Sequence, residues 1–151
     1  MGIADLLTPE RVVCGATVTS KKRTLELLSS LLADVDPDLS ENDIFNGLVA
    51  RERLGSTGLG HGVAIPHGRF QHIEGAYGAV VKLDEPVDFD AIDGEPVDLV
   101  FALMVPEAAT EAHLQLLSSL AEMFRDESVR SALREATSVA QVIQLFELES
   151  S

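Results

Sequence analysis

V-D-L-V-F-A-L-M-V, Val97 to Val105, carries one charged side chain and is otherwise apolar. So short and continuous a run, rich in branched residues, reads as a strand buried on both faces. Such a strand lies at the centre of a sheet, and the rest of the chain must cover that sheet on both sides. Upstream, Gly78 to Leu83 (G-A-V-V-K-L) reads as a second strand, with Pro86 and the Asp93-Gly94 pair marking turns between the two. Val63-Ala64-Ile65 is extended, because a residue before proline is pushed away from helix. Arg11 to Ala16 is a further short extended run containing β-branched Val12 and Val13. Between these lie two helical patterns. In Ser20 to Asp34, Leu25, Leu28, Leu31, Leu32 and Val35 recur at helical spacing behind a Ser20 cap. Ser40 opens the second, with Asp43 three residues on, a stripe at Ile44, Phe45, Leu48 and Val49, and Gly55 as the stop.

Downstream of Val105 the chain turns helical. His113 to Phe124 places Leu114, Leu117, Leu120, Ala121 and Phe124 on one face, Ser128 to Glu135 is a shorter helix, and Ser138 with Gln141 forms a capping box for another. The expected order is β-α-α-β-β-β-α-α-α. The fold class is α+β, a three-layer α/β/α sandwich with a central mixed sheet, with residues 1–151 as a single domain.

Composition supports this and narrows function. An apolar content of 46% suits a packed core, and with aromatics at 5% that core is built of Leu, Val, Ile and Ala. The net charge of −14 repels phosphate backbones and anionic membranes, so neither nucleic-acid binding nor membrane insertion is expected. One cysteine, Cys14, leaves no internal disulfide, and the M-G-I-A-D-L-L-T-P start lacks a basic, apolar leader. No apolar run approaches the roughly 20 residues that span a bilayer. A cytoplasmic location is expected.

Chemistry concentrates in G-L-G-H-G-V-A-I-P-H-G-R-F, Gly58 to Phe70. Neither the dinucleotide nor the P-loop glycine pattern is present. His61, His67 and His72 lack zinc-ligand spacing and a cysteine pair, so no metal is expected, nor any other cofactor. A nucleophilic histidine is the third chemistry. Neutral imidazole can attack a phosphoryl group, given a fixed ring, an open approach and a cation. Pro66 and Gly68 suit His67 to that role, though an ordinary surface turn explains the same residues. Arg51 and Arg53 are the nearest upstream cations, and periodicity does not choose between them. His113, behind T-E-A at a helix start, either meets anions there or lies on the helix surface.

Longer segments carry a resemblance. R-E-R-L-G-S-T-G-L-G-H-G-V-A-I-P-H-G-R (Arg51 to Arg69), F-D-A-I-D-G-E-P-V-D-L-V-F-A-L-M-V-P (Phe89 to Pro106) and the following E-A-H-L-Q-L-L-S-S-L resemble the type 2 (fructose/mannitol-like) IIA domains of the bacterial phosphotransferase system. The match extends over nearly the whole chain and is better to the nitrogen-regulatory branch than to the sugar-transporting one. It implies that a small histidine phosphocarrier protein donates a phosphoryl group to His67, giving a tele-phosphohistidine at Nε2. It maps the supporting arginine to Arg51, not Arg53, maps a second active-site histidine to His113, and leaves His61 incidental. It implies a phosphoryl-carrier transferase that regulates partners, such as potassium-transport or sensor-kinase components, rather than one turning over a small molecule. A sugar-specific, fructose-type IIA passing phosphate to a IIB domain is the alternative. The oligomeric state is left open.

Overall fold

The apolar run at Val97 is the central strand of a six-stranded sheet. The computed structural model describes residues 2–150. Met1 and Ser151, the ends of the expected 1–151 unit, lie outside the described residues. Two 3₁₀ turns, Ile3–Leu6 and Pro9–Arg11, lead into β1 (Val12–Ala16), then α1 (Lys21–Leu32) and α2 (Glu41–Glu52). Next come β2 (Gly58–Gly60), β3 (Val63–Ala64), β4 (His67–Phe70), β5 (Tyr77–Val87) and β6 (Val97–Pro106). The chain closes with α3 (Glu111–Arg125), α4 (Glu127–Glu135) and α5 (Val139–Ser150).

The sheet order is β1-β5-β6-β3-β2, with β4 also paired to β6. β5 and β6 are antiparallel, whereas β1 on β5 and both β3 and β4 on β6 are parallel, so the sheet is mixed as expected. β3 and β4 share one flank of β6: β3 pairs with Leu99 and Val100, and β4 with Leu103 to Pro106. They are one strand interrupted at Ile65-Pro66, where proline has no N–H to give the ladder.

Along β6 the side chains alternate between layers, as the pleat requires. Leu99, Phe101, Leu103 and Val105 pack with Leu116, Leu120, Phe124 and Phe146 from the C-terminal helices. Val100, Ala102 and Met104 pack with Leu25, Leu28, Leu32, Ile44 and Leu48 from α1 and α2. Phe101 meets Phe146 edge to face, ring centroids 5.5 Å apart. Burying each of the Leu, Val, Ile, Met and Phe side chains contributes about 1.5–3 kcal/mol. The helix starts follow their caps. Ser20 Oγ accepts from the Arg23 amide at 3.1 Å, and Ser40 and Asp43 exchange bonds of 3.0 and 3.2 Å.

Three details differ from expectation. Five strands, not three, lie between α2 and α3. The extra two, β2 and β4, are short and rich in glycine, so their strand character comes from the ladder and not from local preference. Pro86 lies inside β5 instead of in a turn. The β1 pairing ends at Leu83, and the β5–β6 register shifts between Lys82 and Val87, so the ladder demands no N–H there. On α3 the core face is Leu116, Leu120, Met123 and Phe124. Leu114 and Leu117 form the adjoining stripe, which borders a cleft.

β4 is held to α2 by Phe70. The ring of this buried side chain occupies the space where a Cβ on Gly47 would stand, and lies 3.0 Å from where one on Gly68 would. The close approach of strand and helix requires glycine at 47 while the ring keeps its place, and makes position 68 tight.

Candidate active site around His67

The Ile65-Pro66 break sets the position of His67. Ile65 donates its amide to the Thr57 carbonyl at 3.1 Å, and the Pro66 carbonyl accepts from Leu103 at 2.9 Å. His67 then pairs with Leu103, whose side chain lies in the layer of the C-terminal helices. Paired residues of neighbouring strands project to the same side, so the imidazole faces that layer, near the start of α3.

Both ring nitrogens are engaged. Nδ1 lies 2.8 Å from the Ile65 carbonyl oxygen. A carbonyl only accepts, so Nδ1 carries the hydrogen and Nε2 carries the lone pair. Arg51 Nε donates to that lone pair at 3.2 Å, while its Nη1 donates to the Gly55 carbonyl at 2.8 Å. Arg51 reaches the ring from the last turn of α2. Burial is the main force lowering the His67 pKa from its ordinary value. The hydrogen bond to Ile65 opposes it, the Arg51 charge lowers the pKa further, and the Glu52 carboxylate opposes that. The balance favours a neutral imidazole with an sp² lone pair at Nε2.

His113 occupies the third helical position of α3 in a capping box with Thr110. Its Nδ1 accepts from the Thr110 amide at 3.3 Å. The hydrogen of the neutral ring therefore sits on Nε2, the reverse of His67. The structure thus brings Arg51, His67 and His113 together on one cleft, whose walls include Leu54, Leu114 and Leu117. A second cleft opens on the other flank of His67 between Leu59, Ile92 and Ala121. Leu54 is 84% exposed and Ile92 is 94% exposed, so the surface beside the imidazole is apolar and open.

The other candidates lie elsewhere. Arg53 is the exposed C-cap of α2 and lines neither cleft. His61 adopts φ 58 in the β2–β3 turn, its amide bonded to Asp93 Oδ2 at 2.9 Å and its carbonyl to Arg134. His72 adopts φ 70 in the exposed turn after β4. Among the described residues, no three His, Cys, Asp or Glu side chains cluster to hold a metal ion. No helix among them is long and apolar enough to cross a membrane.

Two features of the site escape sequence reasoning. Arg69, two residues beyond His67 on β4, lines the same cleft as Arg51 and His113. Glu52, next to Arg51, turns inward instead of outward, and its side chain is only 5% exposed. The alternation of a strand could have found Arg69 had β4 been recognised as one. No local pattern signals Glu52.

A model of the family described as the phosphoenolpyruvate-dependent sugar phosphotransferase system, EIIA 2, matches residues 5–148. A nitrogen regulatory protein of Pseudomonas aeruginosa is 48% identical over 143 residues, covering 95% of this chain and 93% of that protein. The crystal structure of the nitrogen regulatory protein IIA-Ntr from Neisseria meningitidis superposes with a TM-score of 0.90 at 46% identity, over 95% of this chain and 98% of that one. The IIA mannitol structure from Escherichia coli shares the fold, with a TM-score of 0.75 at 24% identity over 93% and 98% of the two chains.

Proposed function

The chain belongs to the EIIA 2 family of the phosphoenolpyruvate-dependent phosphotransferase system, with nitrogen regulatory proteins among its relatives, and on that premise we propose that it is a phosphocarrier that accepts a phosphoryl group on His67 Nε2. The donor is the phosphohistidine of a small histidine phosphocarrier protein. The His67 Nε2 lone pair attacks phosphorus, a new N–P bond forms, and the donor N–P bond breaks with its electron pair returning to the donor ring. The observation that carries this reading is the pinned imidazole: Nδ1–H on the Ile65 carbonyl leaves Nε2 as the only nucleophilic nitrogen.

Arg51 has two tasks in sequence. Before transfer its Nε–H rests on the lone pair. It must swing aside for attack, and it then supplies N–H donors to the phosphoryl oxygens. His113 presents Nε2–H from the facing wall as a further donor. After transfer the ring is cationic, and the Ile65 carbonyl stabilises the remaining Nδ1–H.

The phosphoryl oxygens carry about −1.5 to −2 charge, set against the single positive charge of the ring, at the centre of an apolar surface. A partner that packs on Leu54 or Ile92 in one state meets a desolvated anion in the other. We therefore read the protein as a cytoplasmic regulator whose binding to partners, such as potassium-transport or sensor-kinase components, depends on phosphorylation, and residues 1–151 as one IIA unit. Incubation with phosphoenolpyruvate, the first enzyme of the system and its phosphocarrier is expected to label the wild type with acid-labile phosphate and to leave His67→Ala unlabelled. An unlabelled wild type, or a labelled His67→Ala, sinks the reading. Transfer of that label onward to a IIB domain would move the assignment to the sugar-specific alternative.

A further inference from the structure

A carboxylate in the last turn of a helix opposes the macrodipole, and a buried one opposes desolvation as well. Glu52 does both, in the last turn of α2 with a side chain 5% exposed. Its partners explain how it is tolerated. Lys21 Nζ, at the start of α1, lies 2.9 Å from Oε2. Thr57 donates its amide to Oε2 at 3.3 Å and its hydroxyl to Oε1. Lys21 also reaches the Phe89 carbonyl at 3.4 Å, and Ser56 Oγ donates to that same carbonyl at 2.6 Å.

The bonds continue toward the imidazole. Thr57 is buried, and its carbonyl accepts the Ile65 amide at 3.1 Å. The Ile65 carbonyl accepts Nδ1–H of His67 at 2.8 Å. A continuous chain therefore runs from Lys21 through Glu52, Thr57 and Ile65 to the ring. Buried ion pairs contribute little net stability, so stability alone is a weak reason for the pair. Orienting a ring through an outer shell of hydrogen bonds is a stronger one, as with the partners that fix metal-bound histidines.

We propose that Glu52, with Lys21 as its counter-ion, is a positioning residue: through Thr57 and the Ile65 carbonyl it holds His67 as the Nδ1–H tautomer with Nε2 presented for phosphoryl transfer. The inference rests on His67 being the acceptor, but its structural content can be measured without any transfer. The charged groups facing the ring are Arg51 and Glu52 from α2, with Arg69 of β4 and His113 of α3 on the same cleft.

The test is ¹⁵N NMR of the His67 imidazole across a pH series in the unphosphorylated protein, together with the initial rate of labelling by the phosphocarrier. Thr57→Val is expected to shift the tautomer balance toward Nε2–H and to slow labelling on the order of 10-fold, through misplacement of the nucleophile. Thr57→Ser is expected to restore both. Glu52→Gln removes a negative charge and is expected to lower the His67 titration midpoint, whereas Lys21→Met is expected to raise it. A loss of packing alone would not move the two midpoints in opposite directions. Folded Thr57→Val and Glu52→Gln proteins with the wild-type tautomer and midpoint would overturn the proposal, and Thr57→Val alone carries the test if Glu52→Gln does not fold. A tautomer shift in Thr57→Val supports the relay even where the wild type takes no label, a result that counts only against the acceptor reading of His67.

Discussion

β6 and β4 lie side by side, yet they answer to different demands. β6 is hydrogen-bonded on both flanks, and nine of its ten residues are buried. β4 has one ladder partner, and three of its four residues are not buried. The saturated strand gives up every polar freedom and returns stability. The unsaturated strand is held in place by that neighbour, and it keeps an imidazole and a guanidinium at the surface. Strand character is common to both, but only in β6 does it arise from the strand's own side chains.

Substitutions can separate the two roles. Phe101→Ala on β6 removes a ring that is fully buried against Phe146, and is expected to cost about 3–5 kcal/mol in chemical denaturation. The labelling rate of the folded fraction should hold. A changed rate per folded molecule would mean that β6 shapes the chemistry as well as the scaffold. Next in size, Arg51→Ala is expected to slow labelling by roughly 10²–10³-fold, about 3–4 kcal/mol in the barrier, while moving the unfolding midpoint little. A large stability loss instead would make Arg51 a structural tie between α2 and β4.

The smallest effect is the pH dependence of stability. The folded protein holds His67 below its ordinary pKa of 6.5, so the unfolded chain takes up the proton first as pH falls. The contribution from neutral His67 is thus complete above about pH 6.5 and is lost as pH drops through the folded value. Urea midpoints of wild type and His67→Asn should therefore run parallel above that pH and converge below it. Curves parallel throughout would mean that burial leaves the imidazole untouched.

The same contrast governs what could be read in the sequence. The layered fold was legible because β6 is apolar but for Asp98 and because Ser20 and Ser40 cap their helices where the periodicity begins. β4 was not, since H-G-R-F has no strand preference of its own and takes its conformation from the ladder on Leu103 to Pro106. On α3 two apolar stripes lie side by side at helical spacing. The one through Leu114 and Leu117 borders the cleft, with only Leu117 also touching the core, and periodicity cannot tell a cleft wall from an interior face. At the site, Pro66 and Gly68 leave His67 either a nucleophile or part of an ordinary turn, and only the family resemblance points to His67 and to Arg51 over Arg53, because periodicity does not give the rotation of α2 about its axis. Glu52 needs Lys21, Thr57 and Ile65 brought together in space.

The Phe70 ring, seated over Gly47 and Gly68, ties three positions into one unit of sequence change. Gly47 does not accept a methyl group while the phenyl keeps its place, Gly68 accepts one only if the ring gives by a few tenths of an ångström, and a smaller residue at 70 alone leaves a void between β4 and α2. Variation in this corner therefore has an order, in which the ring must move or shrink before Gly47 can grow. A library that randomises Gly47 alone will find the neighbourhood of His67 closed, whereas one that varies 47, 68 and 70 together will find a second way to pack it.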